Sequence, residues 1–466
     1  MPNFPAQLLA AWTGGRWTVP PVQNLTGFSI DSRQLRPGQI FVALKTEKRD
    51  GHAFLAAAQT AGASAALVTT PNRALALPQL VVGDSLAAFQ TIAREQRRLF
   101  RGRVVGISGS AGKTSTKDLL ALLLGGEACG VLATEGNLNN HLGVPLTLTR
   151  LDPAVHKFAV IEAGISAPGE MKTLAGLIEP DVSIITLVAP AHTEELGGID
   201  GVAREKAALP ATTRQGGIAI FSQATSVLPA FRGLRVSSMI VERVENSRLV
   251  GSSKVRVAFA VGHRSDQTAL VLSNGALPAQ TFAMRRVSDG MAQNAALAIS
   301  AALWLGAAPD AIASRLASWQ PAKLRGEIRH EDGRLLYLDC YNANPASMAD
   351  ALATFAAIAP DEAPRLYVIG CMEELGAEAR AHHHALGRSL ELRAGDRLFA
   401  IGPYAHEICG GLLERGDVTQ QIQIVSSLEP AIACYADWRG AVFVKGSRRY
   451  QLETILAAPG ASVGAH

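Results

Sequence analysis

The chain has 466 residues, 48% of them hydrophobic and 18% charged, with a formal net charge of +4. That length is too great for one ordinary core and implies about three domains, while the apolar share excludes a disordered chain. The densest basic groups, "REQRRLF" and "GSRRYQLE", are too short for a nucleic-acid track, so no nucleic acid is expected as partner.

The start, "MPNFPAQLLAAWTGG", has no basic residues before its short apolar run and does not read as a secretory signal. Next, "GQIFVALKTEKRDGHAFLAAAQTAGASAALVTT" gives strand, loop, helix and strand in a small unit ending near residue 97. From Val104, β-rich runs alternate with Ala/Leu-rich helical stretches: "VVGIS", "FAVIEAG", "DVSIITLVAP" and "GGIAIFS". Such alternation predicts a parallel sheet with helices on both faces. Residues 224 to 285 lose that rhythm and read as short strands extending the same sheet. The longest apolar run, "AALAISAALWLGAAP" from Ala295, is too short to span a bilayer and suits a buried helix. A second α/β series follows in "LLYLDCYNA", "RLYVIGC", "RLFAIG" and "AVFVKGS". The five cysteines form no CxxC or Cys/His zinc spacing, and their odd number suits a reducing compartment. A cytoplasmic protein without a membrane span is expected, its thiols buried or idle.

"GISGSAGKTSTK" is the stretch on which function turns. A β-branched strand, a run of small residues and a helical "KTSTKDLLALLL" supply the context of a phosphate loop, although Ile107 stands where the full Walker pattern has glycine. Small residues let backbone N–H groups turn onto phosphate oxygens, and the helix N-terminus adds its positive dipole end. Lys113 would then contact the terminal phosphates of ATP and Thr114 help hold Mg²⁺. A glycine-rich turn without ligand is the plainer reading. Glu162 closes the strand "FAVIE", and His192 follows "SIITLV", both on the crevice side of a parallel sheet. Glu162 could serve Mg²⁺ or a strand-end ion pair, and His192 a metal or its own loop.

Taken together, "EGNLNNHLGVPLTL", "DCYNANPASM", "GCMEELG", "VFVKGSR" and the shortened loop resemble the Mur ligases. These are ATP-dependent amide-forming enzymes of peptidoglycan synthesis, with a G-x-x-G-K-[TS] loop. The likeness is greatest to the branch that joins D-alanyl-D-alanine to UDP-N-acetylmuramoyl-tripeptide. "DCYNANP" stands where the sister ligase adding the third residue has a "DYAHTPD"-like stretch, and that ligase's "DNPR" is absent.

The resemblance implies a three-domain α/β architecture. Residues 1–97 would form a small UDP-sugar-binding domain, 98–320 a central P-loop ATPase-like parallel-sheet domain, and 321–466 a C-terminal Rossmann-like ligase domain, with hinges near 97 and 320. By the same likeness Asp31, Ser32 and Arg33 in "SIDSRQL" lie near the UDP-sugar, where the bare sequence reads a polar turn. Gly109, Ser110, Ala111, Gly112, Lys113, Thr114 and Ser115 would bind ATP, with Asn294, Arg325 and Asp339. Asn137, Asn139 and Asn140, then Tyr341, Asn342 and Asn344, would face substrate. Lys206 in "GVAREKAAL" falls where these ligases carry a carbamylated lysine; it and His192 would hold a second Mg²⁺, while Thr114, Glu162 and ATP oxygens hold the first. Unmodified, Lys206 reads as a solvated helix charge. Lys445, Gly446 and Ser447 in "VKGS" would support the domain interface.

Three departures stand out: Cys371 where "GDM" is usual, Thr46 where glycine is common, and "GM" for the family's "HN" before Asn294. The first is expected to alter contacts with the D-alanyl-D-alanine end, the second a loop near the nucleotide.

Amide formation from a carboxylate is uphill in water, so ATP must first turn one oxygen into a leaving group. The resemblance implies an acyl phosphate and ADP, then attack by the dipeptide amine. Lys113, Glu162, His192 and Lys206 are the catalytic candidates, and a monomer is expected. The rivals are another amide ligase of the superfamily, of the third-residue or folylpolyglutamate synthase type, and a P-loop ATPase or regulator that makes no amide.

Overall fold

The computed structural model describes residues 2–191, 193–244, 256–274 and 278–456. His192 lies outside them. Three sheets follow one another along the chain.

The first holds, in spatial order, Arg16–Trp17, Gln79–Val81, Ala65–Val68, Gln39–Val42 and Gly27–Ser29, all parallel neighbours except the first pair. Its core includes Phe28, Ile40, Leu67 and Phe89. Phe89 belongs to the helix Ser85–Leu99, capped by Asp84, whose side chain accepts the Leu86 and Ala87 N–H groups. The far end of this helix is fastened to the second domain. Arg97, fully buried, donates to the carbonyls of Ile178 (2.8 Å) and Glu179 (2.6 Å) and to Asp181 Oδ2 (3.2 Å). Gln96 bonds the Leu151 carbonyl. A pivot at residue 97 would have to break these bonds.

The central sheet has nine strands among the described residues, in the order Gln280–Arg285, Gln267–Ser273, Arg256–His263, Ser238–Arg243, Ile218–Ser222, Val182–Ile185, Arg103–Ser108, Phe158–Glu162, Val131–Ala133. Neighbours among the first three are antiparallel and the rest parallel, so the strands described within residues 224 to 285 do extend this sheet. One face is covered by Lys113–Leu123 and Asp289–Trp304, the other by Glu170–Ile178 and Gly198–Ala211. Leu119, Leu120 and Leu123 recur on one side of their helix and are fully buried, each contributing about 1.5–3 kcal/mol. The apolar run from Ala295 is the buried helix expected, with Ala295 to Ala302 enclosed.

The third sheet runs Glu327–Glu331, Arg334–Asp339, Ala441–Lys445, Arg365–Gly370, Arg397–Ile401, Ile422–Val425, parallel except at its first pair. No helix among the described residues is long and apolar enough to cross a membrane.

Candidate active site

Parallel register decides where the chemistry collects. Ile107 lies opposite Glu162, and Ser108 opposite Ile185, so three strands end together and their loops share one edge. The loop from Gly109 to Gly112 is bent by two positive φ angles, +154° and +77°, and a Cβ on Gly109 would lie 1.8 Å from Thr186 Oγ1. That threonine donates to the Ala111 carbonyl at 2.5 Å and ties the loop down. Ser110 exchanges backbone and side-chain bonds with Leu187 and Ala189.

Lys113 opens the following helix and donates to the Gly109 carbonyl at 2.9 Å. Burial pushes its ammonium below the ordinary value, opposed by Glu162 and reinforced by Arg325. A neighbouring anion would relieve that. Glu162 is only 1% exposed. Its Oε1 accepts Asn139 Nδ2 at 2.8 Å, whereas Oε2 has no partner among the described residues. A buried oxygen of this kind calls for a donor or a cation.

These groups wall a cavity of about 950 Å³, large enough for a nucleotide and part of a second substrate. Of the sequence-derived candidates, Ser110 to Ser115, Asn137, Asn139, Asn140 and Glu162 line it from the central domain. Asn294 also lines it and presses on the loop, since a Cβ on Gly112 would meet its Nδ2 at 2.2 Å. Arg325, Asp339, Tyr341, Asn342 and Asn344 line it from the third domain. Arg325 stacks over Tyr341 at 3.9 Å. Asn344 caps the helix Pro345–Ile358 and donates to the Ser110 carbonyl at 3.2 Å, so two domains meet on the phosphate loop.

Other candidates are placed differently. Gly109 shapes the loop without lining the cavity. Asp31 and Arg33 lie in the first domain, outside the cavity lining, and grip each other through two bonds of 2.9 and 2.8 Å; the Arg33 partner holds the Asp31 carboxyl down at about 2. Ser32 sits between them in the same turn. Asn140, although it lines the cavity, spends its Oδ1 on the Leu142 and Gly143 N–H groups. Lys445 does line the cavity, buried and in an ion pair with Asp339 Oδ2 at 2.5 Å.

Lys206 is not a solvated charge: it is 3% exposed, on the helix Gly198–Ala211. Burial, then Lys113, push its ammonium well below the ordinary value. No group of three or more His, Cys, Asp or Glu with metal-site geometry occurs among the described residues. A cation here would rest on Glu162 and Thr114 with phosphate oxygens completing its shell, the usual Mg²⁺ arrangement.

Cys371 corrects an expectation. It is fully buried outside the cavity lining, with burial pushing its thiol up to about 12. Thr46 closes a turn with Arg49 on the first domain, also away from the cavity. Sequence reasoning missed Thr186 and Asp350. A lone acid in the apolar helix Pro345–Ile358 was the available signal for the latter.

The chain matches the family models described as Mur ligase family, catalytic domain, over residues 24–96, Mur ligase middle domain over 107–302, and Mur ligase, glutamate ligase domain, over 324–448. It is 33% identical over 450 residues to the UDP-N-acetylmuramoyl-tripeptide--D-alanyl-D-alanine ligase of Escherichia coli (strain K12), covering 93% of this chain and 94% of that one. The crystal structure of MurF from Acinetobacter baumannii superposes with a TM-score of 0.84 at 28% identity, over 98% of both chains. MurF ligase from Thermotoga maritima in complex with ADP shares the fold, with a TM-score of 0.77 at 24% identity over 93% of this chain and 96% of that one. Since the three matches fall in order along one chain, and the 33% identity to a relative extends over 93% of this chain, this protein belongs to the Mur ligase family.

Proposed function

We propose that this protein is an ATP-dependent, ADP-forming ligase that joins D-alanyl-D-alanine to UDP-N-acetylmuramoyl-tripeptide in peptidoglycan precursor synthesis. One observation carries the reading: Lys113, Thr114 and Glu162, with its unpartnered oxygen, line a single cavity that Arg325 and Asn344 of another domain also line. The Escherichia coli relative and one from Bacillus subtilis (strain 168), both of matching length, bear that activity in their names, and the Thermotoga maritima neighbour holds ADP.

In this reading the phosphate loop and the Lys113–Leu123 helix end hold the nucleotide tail, and Lys113 and Arg325 offset the charge gathered when the tripeptide carboxylate meets the γ-phosphate. The carboxylate oxygen bonds to phosphorus and ADP leaves. The dipeptide amine then attacks the acyl carbon, and phosphate departs as the amide forms. Asn137 and Asn139 face the reacting carboxyl, Asn342 and Tyr341 the incoming dipeptide, and Asn294 the nucleotide. Magnesium would supply charge neutralisation, held by Glu162 and Thr114. Lys206 is buried, and burial favours its uncharged amine, the form that carbamylation requires; as a carbamate it would be an anionic ligand for a second ion with His192. Asp31, Ser32 and Arg33 would receive the uridine nucleotide end. Residues 1–97, 98–320 and 321–466 are the three working domains, and the protein acts as a cytoplasmic monomer.

The test is ADP release with each substrate omitted in turn, with mass analysis of the product. Release that needs both substrates and yields the UDP-pentapeptide supports the proposal; dipeptide-independent hydrolysis supports an ATPase. Lys113→Ala should lower turnover by about 10³-fold with the circular dichroism spectrum unchanged.

A further inference from the structure

The helix Pro345–Ile358 of the third domain touches the central domain a second time. Beyond the Asn344 contact with Ser110, Asp350 Oδ1 accepts the Gly290 N–H at 2.9 Å. Gly290 is the second residue of the helix Asp289–Trp304. The three atoms nearest to a Cβ built on it all belong to Asp350, starting with Oδ2 at 2.5 Å. The absence of a side chain at Gly290 is therefore what admits the carboxylate. Asp289 beside it is engaged elsewhere, by Arg243 at 2.8 Å and His263 at 2.7 Å. Ser288 caps the same turn by accepting the Met291 N–H at 3.0 Å. One turn further along, Asn294 bears on Gly112, at the mouth of the phosphate loop.

An anionic group at a helix N-terminus is favourable, since the first N–H groups lack intrahelical acceptors. Here the anion arrives from a different domain, so the favourable contact exists only while that domain is seated. We propose that Asp350 is a positioning residue for the nucleotide site: its carboxylate fixes the first turn of the Asp289–Trp304 helix on docking, and through that turn sets Asn294 against the phosphate loop. Burial, with Asp289 and Asp339 adding to it, pushes the Asp350 carboxyl above its ordinary value, against hydrogen bonds from Ser288 and Gly290. Arg286 is the cation on that side that feels its charge. The inference rests on the nucleotide reading given above.

Full-length Asp350→Ala, Gly290→Ala, the double variant and Asp350→Asn are compared by calorimetric titration with ATP and by KM and kcat in the complete ligation. Loss of a hydrogen bond to a charged acceptor predicts about a tenfold rise in Kd and KM for ATP in Asp350→Ala, with kcat changed less than about twofold. Gly290→Ala forces a methyl group into the carboxylate and produces a similar rise. In the Asp350→Ala background those nearest atoms are gone, so the double variant binds ATP no more weakly than Asp350→Ala alone. Asp350→Asn keeps an acceptor of the same shape and recovers most of the affinity. Wild-type ATP affinity in Asp350→Ala, or additive losses in the double variant, overturns the proposal. Should Asp350→Ala not fold, Gly290→Ala against Asp350→Asn makes the same comparison. If no form, wild type included, binds ATP, it is the nucleotide reading that fails.

Discussion

Asn139 donates its side-chain N–H to Glu162 Oε1 at 2.8 Å and leaves Oε2 as the carboxylate's one unpartnered oxygen among the described residues. Asn139 is itself held, since its carbonyl accepts the Gly164 N–H at 2.8 Å. The amide thus orients the acid, and its removal should loosen the cation rather than the fold. Asn139→Ala is expected to raise the Mg²⁺ concentration for half-maximal ADP release about tenfold. Glu162→Gln, which keeps the shape and loses the charge, should suffer more. Unchanged Mg²⁺ dependence in both would remove Glu162 from the metal.

Lys206 sets function against stability. Its folded-state pKa lies well below the ordinary 10.5, so the unfolded chain binds a proton that the folded one lacks, and stability rises with pH up to that value. Lys206→Met fills similar space without a charge to desolvate. In bicarbonate-free buffer it should unfold at a higher temperature than wild type, with a flatter pH dependence, and yet make no amide. A carbamate would appear as a carbon-13 resonance from labelled bicarbonate in wild type and not in the variant. A lower unfolding temperature for Lys206→Met would mean that the amine has a stabilising partner.

Much of this site was legible because its parts are local. The strand, small-residue loop and helix around Lys113 are contiguous, and Glu162 ends the apolar run "FAVI", so position along the chain foretold position at the sheet edge. What was not legible is pairwise and distant: Thr186 reaching Ala111, Asn344 reaching Ser110, Asp350 reaching Gly290. Thr186 and Asp350 are each one polar residue among apolar neighbours and Asn344 one of several in a polar loop, with nothing local to name the partner. The strands Val131–Ala133 and Ile422–Val425 were missed because three and four residues carry no readable alternation. Glu327–Glu331, "EIRHE", was missed because an edge strand needs no apolar face. Cys371 was misplaced because a family pattern says which acid is gone, not whether its position faces the cavity.

His383 should impose an acid limit on the third domain. It is fully buried, with Nε2 accepting the Met372 N–H at 2.9 Å and Nδ1 at 2.6 Å from the Ala379 carbonyl. That geometry requires the neutral ring with its proton on Nδ1. Burial holds the folded-state pKa below the ordinary 6.5, so below that pH the unfolded chain takes up a proton that the folded one refuses. Stability is therefore full above 6.5 and falls as pH drops toward the folded-state value. Urea unfolding at about pH 8 and about pH 5.5 should show the decline, and His383→Gln should remove its one-proton share. An identical slope in the variant would assign the decline to other groups.

Arg97 fastens the helix shared by the first two domains, and its loss should be felt as stability before it is felt as chemistry. Burial pushes its guanidinium down to about 10, which still leaves it charged at neutral pH, and Asp181 is its nearest countercharge. Arg97→Met would leave the Ile178 and Glu179 carbonyls without that donor and Asp181 without its buried partner. Breaking such a pair by deleting one side costs about 3 kcal/mol or more. Because the helix Ser85–Leu99 contributes Phe89 and Ile92 to the first core and Ala93 to the second, the loss should lower the unfolding temperature of both domains together. Calorimetry would read this as a joint downward shift, the third domain's transition staying in place. If only the first domain's transition moved, the helix would be a tether rather than a shared wall, and residue 97 would regain its place as a pivot.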